Sequence, residues 1–242
     1  MRRSALVMSL LVVSVLLGSK ALYLIEASLF PFDDYVPLHM RAAAHGFRIP
    51  GGILALGFAI PLGCGALGLP WRRFGDTVIP LAALALVLIR LGCYLNGCCF
   101  GRVSSLSWAV TFPPGSWAFW YHHTHGWIPP DATISLPVHP LQLYFVLVAI
   151  GILVALVVGR QSDARPGRTQ VLFYALFFGT TAILDLFRQN HLTLNVAVCS
   201  VTAVLVMTAA AFQWIAHTIG TYRTCSSSLE VQPLPGSQGA IE

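Results

Sequence analysis

Residues 90–102 read Arg-Leu-Gly-Cys-Tyr-Leu-Asn-Gly-Cys-Cys-Phe-Gly-Arg, and they stand where a long apolar segment ends. An arginine on the shoulder of a membrane helix is costly there, which makes Arg90 a functional-site hypothesis by default. Its planar fork matches phosphate oxygens. The plain alternative for Arg90 is snorkelling to the lipid headgroups. Asn96 can both donate and accept hydrogen bonds. Gly92, Gly97 and Gly101 permit close approach of a backbone or a headgroup.

Three further segments carry polar groups at membrane edges. Asp185 and Arg188 are three residues apart on one helical face, so they pair with each other, or Asp185 holds a substrate-facing arginine. In His139-Pro-Leu-Gln-Leu-Tyr144, Pro140 suits a first helical turn. His139 is then a candidate general base at neutral pH, with Gln142 and Tyr144 beside it. Gly51-Gly52 suits helix–helix packing, or an opening for a lipid chain.

Cys93, Cys98 and Cys99 admit three readings: small apolar packing, a disulfide of Cys93 with Cys98 or Cys99, or a reactive or metal-binding thiolate. The spacing is not a standard zinc pattern, and the disulfide is the first expectation. The run His122-His-Thr-His125 sits among Trp117, Trp120 and Tyr121. Clustered surface histidines are usually unliganded, so no metal site is assigned, and no cofactor is expected.

These groups need a membrane frame. The chain has 242 residues, 56% hydrophobic and only 10% charged, against about 25% charged in a soluble domain. Six stretches can cross a bilayer: roughly Ser4–Ile25, Ile49–Leu69, Thr77–Tyr94, Pro140–Gly159, Val171–Phe187 and Thr193–Ile215. Arg2-Arg3 ahead of Ala5–Leu17 also fits a secretory signal peptide. The apolar run resumes at Ala21–Ile25 without a small-x-small cleavage site, so a span is the stronger reading. Arg2, Arg3, Arg72, Arg73, Arg160, Arg165, Arg168 and Arg223 all fall on one side, which the positive-inside rule makes cytoplasmic.

The opposite face then holds 26–48, the long loop 96–139 and the turn 188–192, with His39, His45, His122, His123, His125, His139 and His191. The expected architecture is an all-α integral membrane bundle of about six transmembrane helices, or seven. An outer-face loop or head lies between spans three and four. Residues 1–224 form one transmembrane domain, and 225–242 form a disordered cytoplasmic tail. The net charge of +5 reads as anchoring charge, and no Lys/Arg tract suggests nucleic acid.

Four motifs in order resemble the bacterial prolipoprotein diacylglyceryl transferase family. The first is Arg90, Gly92, Asn96, Gly97, Phe100, Gly101 and Arg102. The second is Trp108-Ala-Val with Phe112-Pro. The third is Val138-His-Pro-Leu-Gln-Leu-Tyr144, and the fourth is Asp185-Leu-Phe-Arg188. The resemblance covers about residues 46–215. It implies transfer of a diacylglyceryl group from phosphatidylglycerol to the lipobox cysteine thiol of a preprolipoprotein, releasing glycerol phosphate. It places the site on the outer face of a bacterial inner membrane, among membrane lipids.

On that resemblance Arg90, Arg102 and His139 are catalytic: the arginines hold phosphate, with Arg188 a weaker candidate, and His139 is base or orienter. Asn96, Gly97, Gly101, Gln142, Tyr144, Asp185, Arg188, Gly51 and Gly52 bind substrate. The chain departs from the family at Pro50, where a histidine is usual, and at Cys93, where an asparagine occurs. Cys98 and Phe145 stand where the family has acids, and Thr181 where it has an arginine. The family usually has seven spans. Two other functions compete: a thiol or metal protein built on Cys93, Cys98 and Cys99, and an inactive lipid-binding relative.

Overall fold

The computed structural model describes residues 2–29, 46–162, 166–189, 197–202 and 204–205. His39, His45, Arg165, His191, Arg223 and residues 225–242 lie outside them. Among the described residues six helices are bounded: α1 (Arg2–Leu29), α2 (Ile49–Ala66), α3 (Trp71–Leu95), α4 (Trp117–Thr124), α5 (Leu141–Ser162) and α6 (Arg168–Asp185). Residues 197–202 are also helical. By contact the chain divides into two units, Met1–Ala203 and Val204–Glu242.

Among the described residues four helices are long and apolar enough to cross a membrane: Arg2–Leu29, Ile49–Ala66, Trp71–Leu95 and Leu141–Gly159. They correspond to the first four expected spans. The fifth expected span is observed as α6, which is not among the four; its 18 residues include Arg168, Gln170 and Asp185 at their ends. Most of the sixth, Thr193–Ile215, lies outside the described residues. The spanning helices carry large apolar side chains on their outer surfaces, such as Phe58, Leu62, Leu88 and Leu147. A bilayer accepts such a surface because lipid tails solvate it.

One apolar core joins the helices. Val7 and Leu11 of α1 meet Ile53, Leu56 and Ile60 of α2, and the cluster continues through Ile79 and Leu86 of α3 and Ile152 and Leu156 of α5 to Phe173 and Phe178 of α6. The α1–α2 contact is very close. A Cβ at Gly51 would stand 2.4 Å from the Gly18 carbonyl oxygen, and one at Gly52 would stand 2.3 Å from Ser19 Oγ. Both glycines therefore sit in helix packing.

The starts of α1, α3 and α6 gather Arg2, Arg3, Arg72, Arg73 and Arg168 at one end of the bundle. Arg3 Nη1 donates to the Leu67 carbonyl at 3.4 Å, tying the start of α1 to the α2–α3 turn. Asp76 Oδ2 accepts from the Gly167 amide at 2.6 Å and Oδ1 from the Gln170 amide at 3.3 Å. Gln170 Nε2 donates back to the Arg72 carbonyl at 3.0 Å. Asp76 thereby caps α6 and fixes it against α3.

Residues 96–139 make a small structured head rather than a plain loop. They contain α4, whose start is capped by Ser116 Oγ accepting from the Phe119 amide at 3.2 Å. A second apolar cluster of Phe100, Phe112, Ala118 and Val138 lies beneath it. Isolated antiparallel bridges pair Val103 and Val110 with Val138.

Candidate active site

The site begins with how α3 ends. Asn96 caps the helix. The Gly97 amide then donates to the Tyr94 carbonyl and the Cys98 amide to the Cys93 carbonyl, both at 3.1 Å. This is a Schellman closure with Gly97 at the left-handed position, φ 63°. A Cβ at Gly97 would also stand 2.7 Å from Ser116 Cβ, so the turn and the head require glycine together. Cys99 is left-handed too, at φ 58°, the one non-glycine among the described residues with positive φ. Two left-handed residues in three fold the chain back across the last turn of α3.

The folded-back segment is then stitched to two distant places. The Gly101 amide donates to the His139 carbonyl, and the His139 amide donates to the Arg102 carbonyl, each at 3.0 Å. The Arg102 amide donates to the Phe187 carbonyl at 3.0 Å, and Gly101 and Arg188 form an antiparallel bridge. The ends of α3 and α6 and the start of α5 therefore converge at the end of the bundle opposite the basic helix starts. Three of the four sequence motifs meet there, and the second supplies Trp108.

Arg90 lies one turn before the end of α3 and is 5% exposed. Its guanidinium carbon stands 3.7 Å from the ring centroid of Phe145, a cation–π contact. Arg90 also lines a small cavity with Leu86, Phe145, Ile152, Phe177 and Thr181, between α3, α5 and α6. Two of these wall residues, Phe145 and Thr181, stand at departures from the family pattern.

Arg188 Nη2 meets Asp185 Oδ1 at 3.1 Å, with both side chains largely buried. The expected pair is thus formed. Arg188 Nε is buried and has no hydrogen-bond acceptor among the described residues. A buried donor left open in this way is costly unless a ligand meets it.

His139 is half-buried, and its Nδ1 lies 3.2 Å from Tyr144 Oη. Trp108 Nε1 donates to the same Tyr144 oxygen at 2.8 Å. Gln142 is fully buried and its Nε2 donates to the Cys98 carbonyl at 2.6 Å, so it supports the turn. Asn96 is exposed beside the turn it caps. The Arg102 side chain is exposed while its backbone is pinned. Gly51 and Gly52 belong to the α1–α2 packing already described.

The expected disulfide is not formed: Cys64, Cys93, Cys98, Cys99 and Cys199 are all free thiols. Instead the three signature sulfurs lie within 4.8 Å of one another. Hydrogen bonds from Cys93 and Cys98, then the charges of Arg188 and Arg90, outweigh burial and hold the Cys99 thiol well below the usual thiol range. Of the histidine run, His122 is a packing element, while His123 and His125 are exposed. His122 is fully buried, with Trp127 stacked at 5.4 Å, and its Nδ1 accepts from the Leu136 amide at 3.2 Å.

The family model for prolipoprotein diacylglyceryl transferase matches residues 2–216. The chain belongs to this family. A phosphatidylglycerol–prolipoprotein diacylglyceryl transferase of Rhodococcus jostii (strain RHA1) is 30% identical over 185 residues, covering 72% of this chain and 50% of the relative. That of Azospirillum brasilense is 30% identical over 189 residues, covering 74% and 62%. One of Legionella pneumophila is 27% identical over 176 residues, covering 72% and 62%. The aligned part of this chain thus spans from half to just over three-fifths of these transferases.

Proposed function

We propose that this chain transfers the diacylglyceryl group of phosphatidylglycerol to the lipobox cysteine thiol of a preprolipoprotein. The observation that carries the reading is the convergence of two buried arginines, Arg90 and Arg188, with the His139–Tyr144 pair at one end of a membrane bundle. The names of the relatives supply the substrates.

The chemistry follows from the groups present. The substrate's sulfur attacks the glyceryl carbon that carries the phosphate ester, forming a C–S bond. The C–O bond breaks, and glycerol phosphate leaves with the electron pair. Charge grows on the phosphate oxygens, where Arg90 and the open Nε of Arg188 stabilise it. Asp185 keeps Arg188 in place. His139 takes the thiol proton at Nε2. That role requires the tautomer in which Nδ1–H donates to Tyr144 Oη, which also accepts from Trp108. Arg102 at the rim meets the incoming headgroup. Asn96, Gly97, Gly101 and Gln142 hold the turn in shape.

The full architecture completes this reading. It has six or seven spans, with the basic helix starts in the cytoplasm and head 96–139 on the outer face of a bacterial inner membrane. Both substrates then reach the site laterally from the outer leaflet. The test is transfer of labelled diacylglyceryl from phosphatidylglycerol vesicles to a lipobox peptide by purified protein. Product that disappears in Arg90→Ala supports the reading. Labelled lipid retained without any product would instead identify a binding protein on the same scaffold.

A further inference from the structure

The transfer reaction consumes the substrate's thiol and uses none of the enzyme's, yet three enzyme thiols meet at its edge. The Sγ atoms of Cys93, Cys98 and Cys99 lie within 4.8 Å of one another, all partly buried. The backbone gathers them: the Schellman closure returns Cys98 to Cys93, whose carbonyl also receives Cys98 Sγ–H at 3.6 Å. The left-handed backbone of Cys99 adds the third sulfur. Left-handed non-glycine residues are uncommon and persist where the surrounding structure over-determines them.

A metal with bonds of about 2.3 Å to sulfur, centred in a triangle of three thiolates, needs sulfurs about 4.0 Å apart. The observed limit is less than 1 Å wider, a gap that side-chain rotation closes. Thiolate donors select soft cations such as Cu(I) and Zn(II). Structural zinc takes four ligands, and among the described residues no histidine or carboxylate joins the three sulfurs.

We propose that Cys93, Cys98 and Cys99 form a three-thiolate site for a soft monovalent cation of the copper(I) class. Each ligating thiol releases its proton to solvent as the metal–sulfur bond forms. Three thiolates and one monovalent cation leave an anionic complex, and Arg90 and Arg188 are the cations whose charges act on Cys99. Occupancy then competes with a phosphate for the same two guanidiniums and slows transfer. This consequence rests on the transferase reading, whereas the binding does not.

The test titrates Cu(I) anaerobically into the detergent-purified full chain against a chromogenic Cu(I) chelator, with X-ray absorption on the product. The expected result is one Cu(I) retained per chain with a shell of three sulfurs, unchanged in Cys64→Ser and lost in the Cys93→Ser/Cys98→Ser/Cys99→Ser variant. Should that variant fail to fold, Cys98→Ser alone must weaken retention at least tenfold. Equal retention in the cysteine variants, or a shell with fewer than three sulfurs, overturns the site. Diacylglyceryl transfer is assayed in parallel. Copper bound without slowing turnover overturns the competition alone. Copper bound by a chain that never turns over leaves the site intact and counts against the transferase reading.

Discussion

Gly101 and His139 are joined so tightly that a side chain at 101 must move residue 139. The Gly101 amide donates to the His139 carbonyl at 3.0 Å. A Cβ at Gly101 would stand 2.6 Å from His139 Cβ, 3.0 Å from the His139 oxygen and 3.1 Å from the Phe187 oxygen. Two of those three obstacles are backbone and cannot rotate away. Gly101→Ala is therefore expected to cost about 1–3 kcal/mol through overpacking and to displace the proposed base. Gly92→Ala is the contrast, because nothing lies within 4 Å of a Cβ there. Its thermal midpoint in detergent is expected to equal or exceed the parent's, because alanine is the better helix former, and activity lost without loss of stability would mark Gly92 as a point of lipid approach.

Arg90 stands in an aromatic rather than an acidic setting. Its contact with Phe145 at 3.7 Å occupies the place where the family pattern has a carboxylate. Unlike a carboxylate, the Phe145 ring adds no negative charge to those of Cys99 and Asp185 that act on Arg90, which leaves room for an anionic ligand. Arg90→Ala is expected to lower kcat by about 10²–10³-fold. Arg90→Lys keeps the charge and loses the fork, so it should fall between the two. Equal rates for Lys and Ala in the transfer assay would contradict bidentate phosphate binding.

Tyr144 orients His139 without touching either substrate's reacting atoms in the proposed scheme. Tyr144→Phe removes the oxygen that meets His139 Nδ1 at 3.2 Å and Trp108 Nε1 at 2.8 Å. Net stability should change by about 1 kcal/mol. The rate should fall about tenfold, less than the ~10²–10⁴ that a general base contributes. Trp108→Phe should reproduce part of the loss and shift the pH profile in the same direction as Tyr144→Phe. Profiles identical to the parent's would exclude the positioning role.

Much of this arrangement was legible in the sequence, for reasons that differ by element. The spans up to α5 follow from the demand that a bilayer makes on apolar length. The Asp185–Arg188 pair follows from its spacing. The last turn of α3 was half legible: Gly97 after an apolar helix marks a helix stop, but nothing local predicts that Cys99 will also be left-handed. The disulfide expectation failed there, because spacing alone does not say where a refolded turn aims its sulfurs. Helix α4 was missed, since Trp117–Thr124 has no apolar period and only Ser116 hints at a cap. The pairing of Gly101 with His139 and of Arg102 with Phe187 is backbone to backbone across long separations. Such bonds leave no residue signature, and they turn the Arg102 side chain outward although its motif groups it with Arg90.

The head carries its own pH sensitivity. His122 is fully buried, its Nδ1 accepts from the Leu136 amide, and its Nε2 has no partner among the described residues. Burial, then the nearby His125, holds its pKa below the usual 6.5. The unfolded imidazole binds a proton below about pH 6.5 while the folded one does not. Stability therefore falls as pH drops below about 6.5, by up to about 1.4 kcal/mol per pH unit for one proton. His122→Gln should flatten the fall in thermal midpoint between pH 7 and pH 5. An unchanged slope would assign the effect to other groups.

Asp185 and Arg188 separate stability from catalysis. Asp185→Asn leaves the Arg188 guanidinium buried without its counter-charge, and breaking a buried pair from one side costs about 3–5 kcal/mol. Arg188→Met alone strands the carboxylate in the same way. Asp185→Asn/Arg188→Met strands neither, so it should recover most of the thermal stability that each single change loses. It should recover none of the transfer activity if Arg188 meets the phosphate. Stability and activity returning together in the double variant would make the pair purely structural and leave Arg90 as the phosphate ligand.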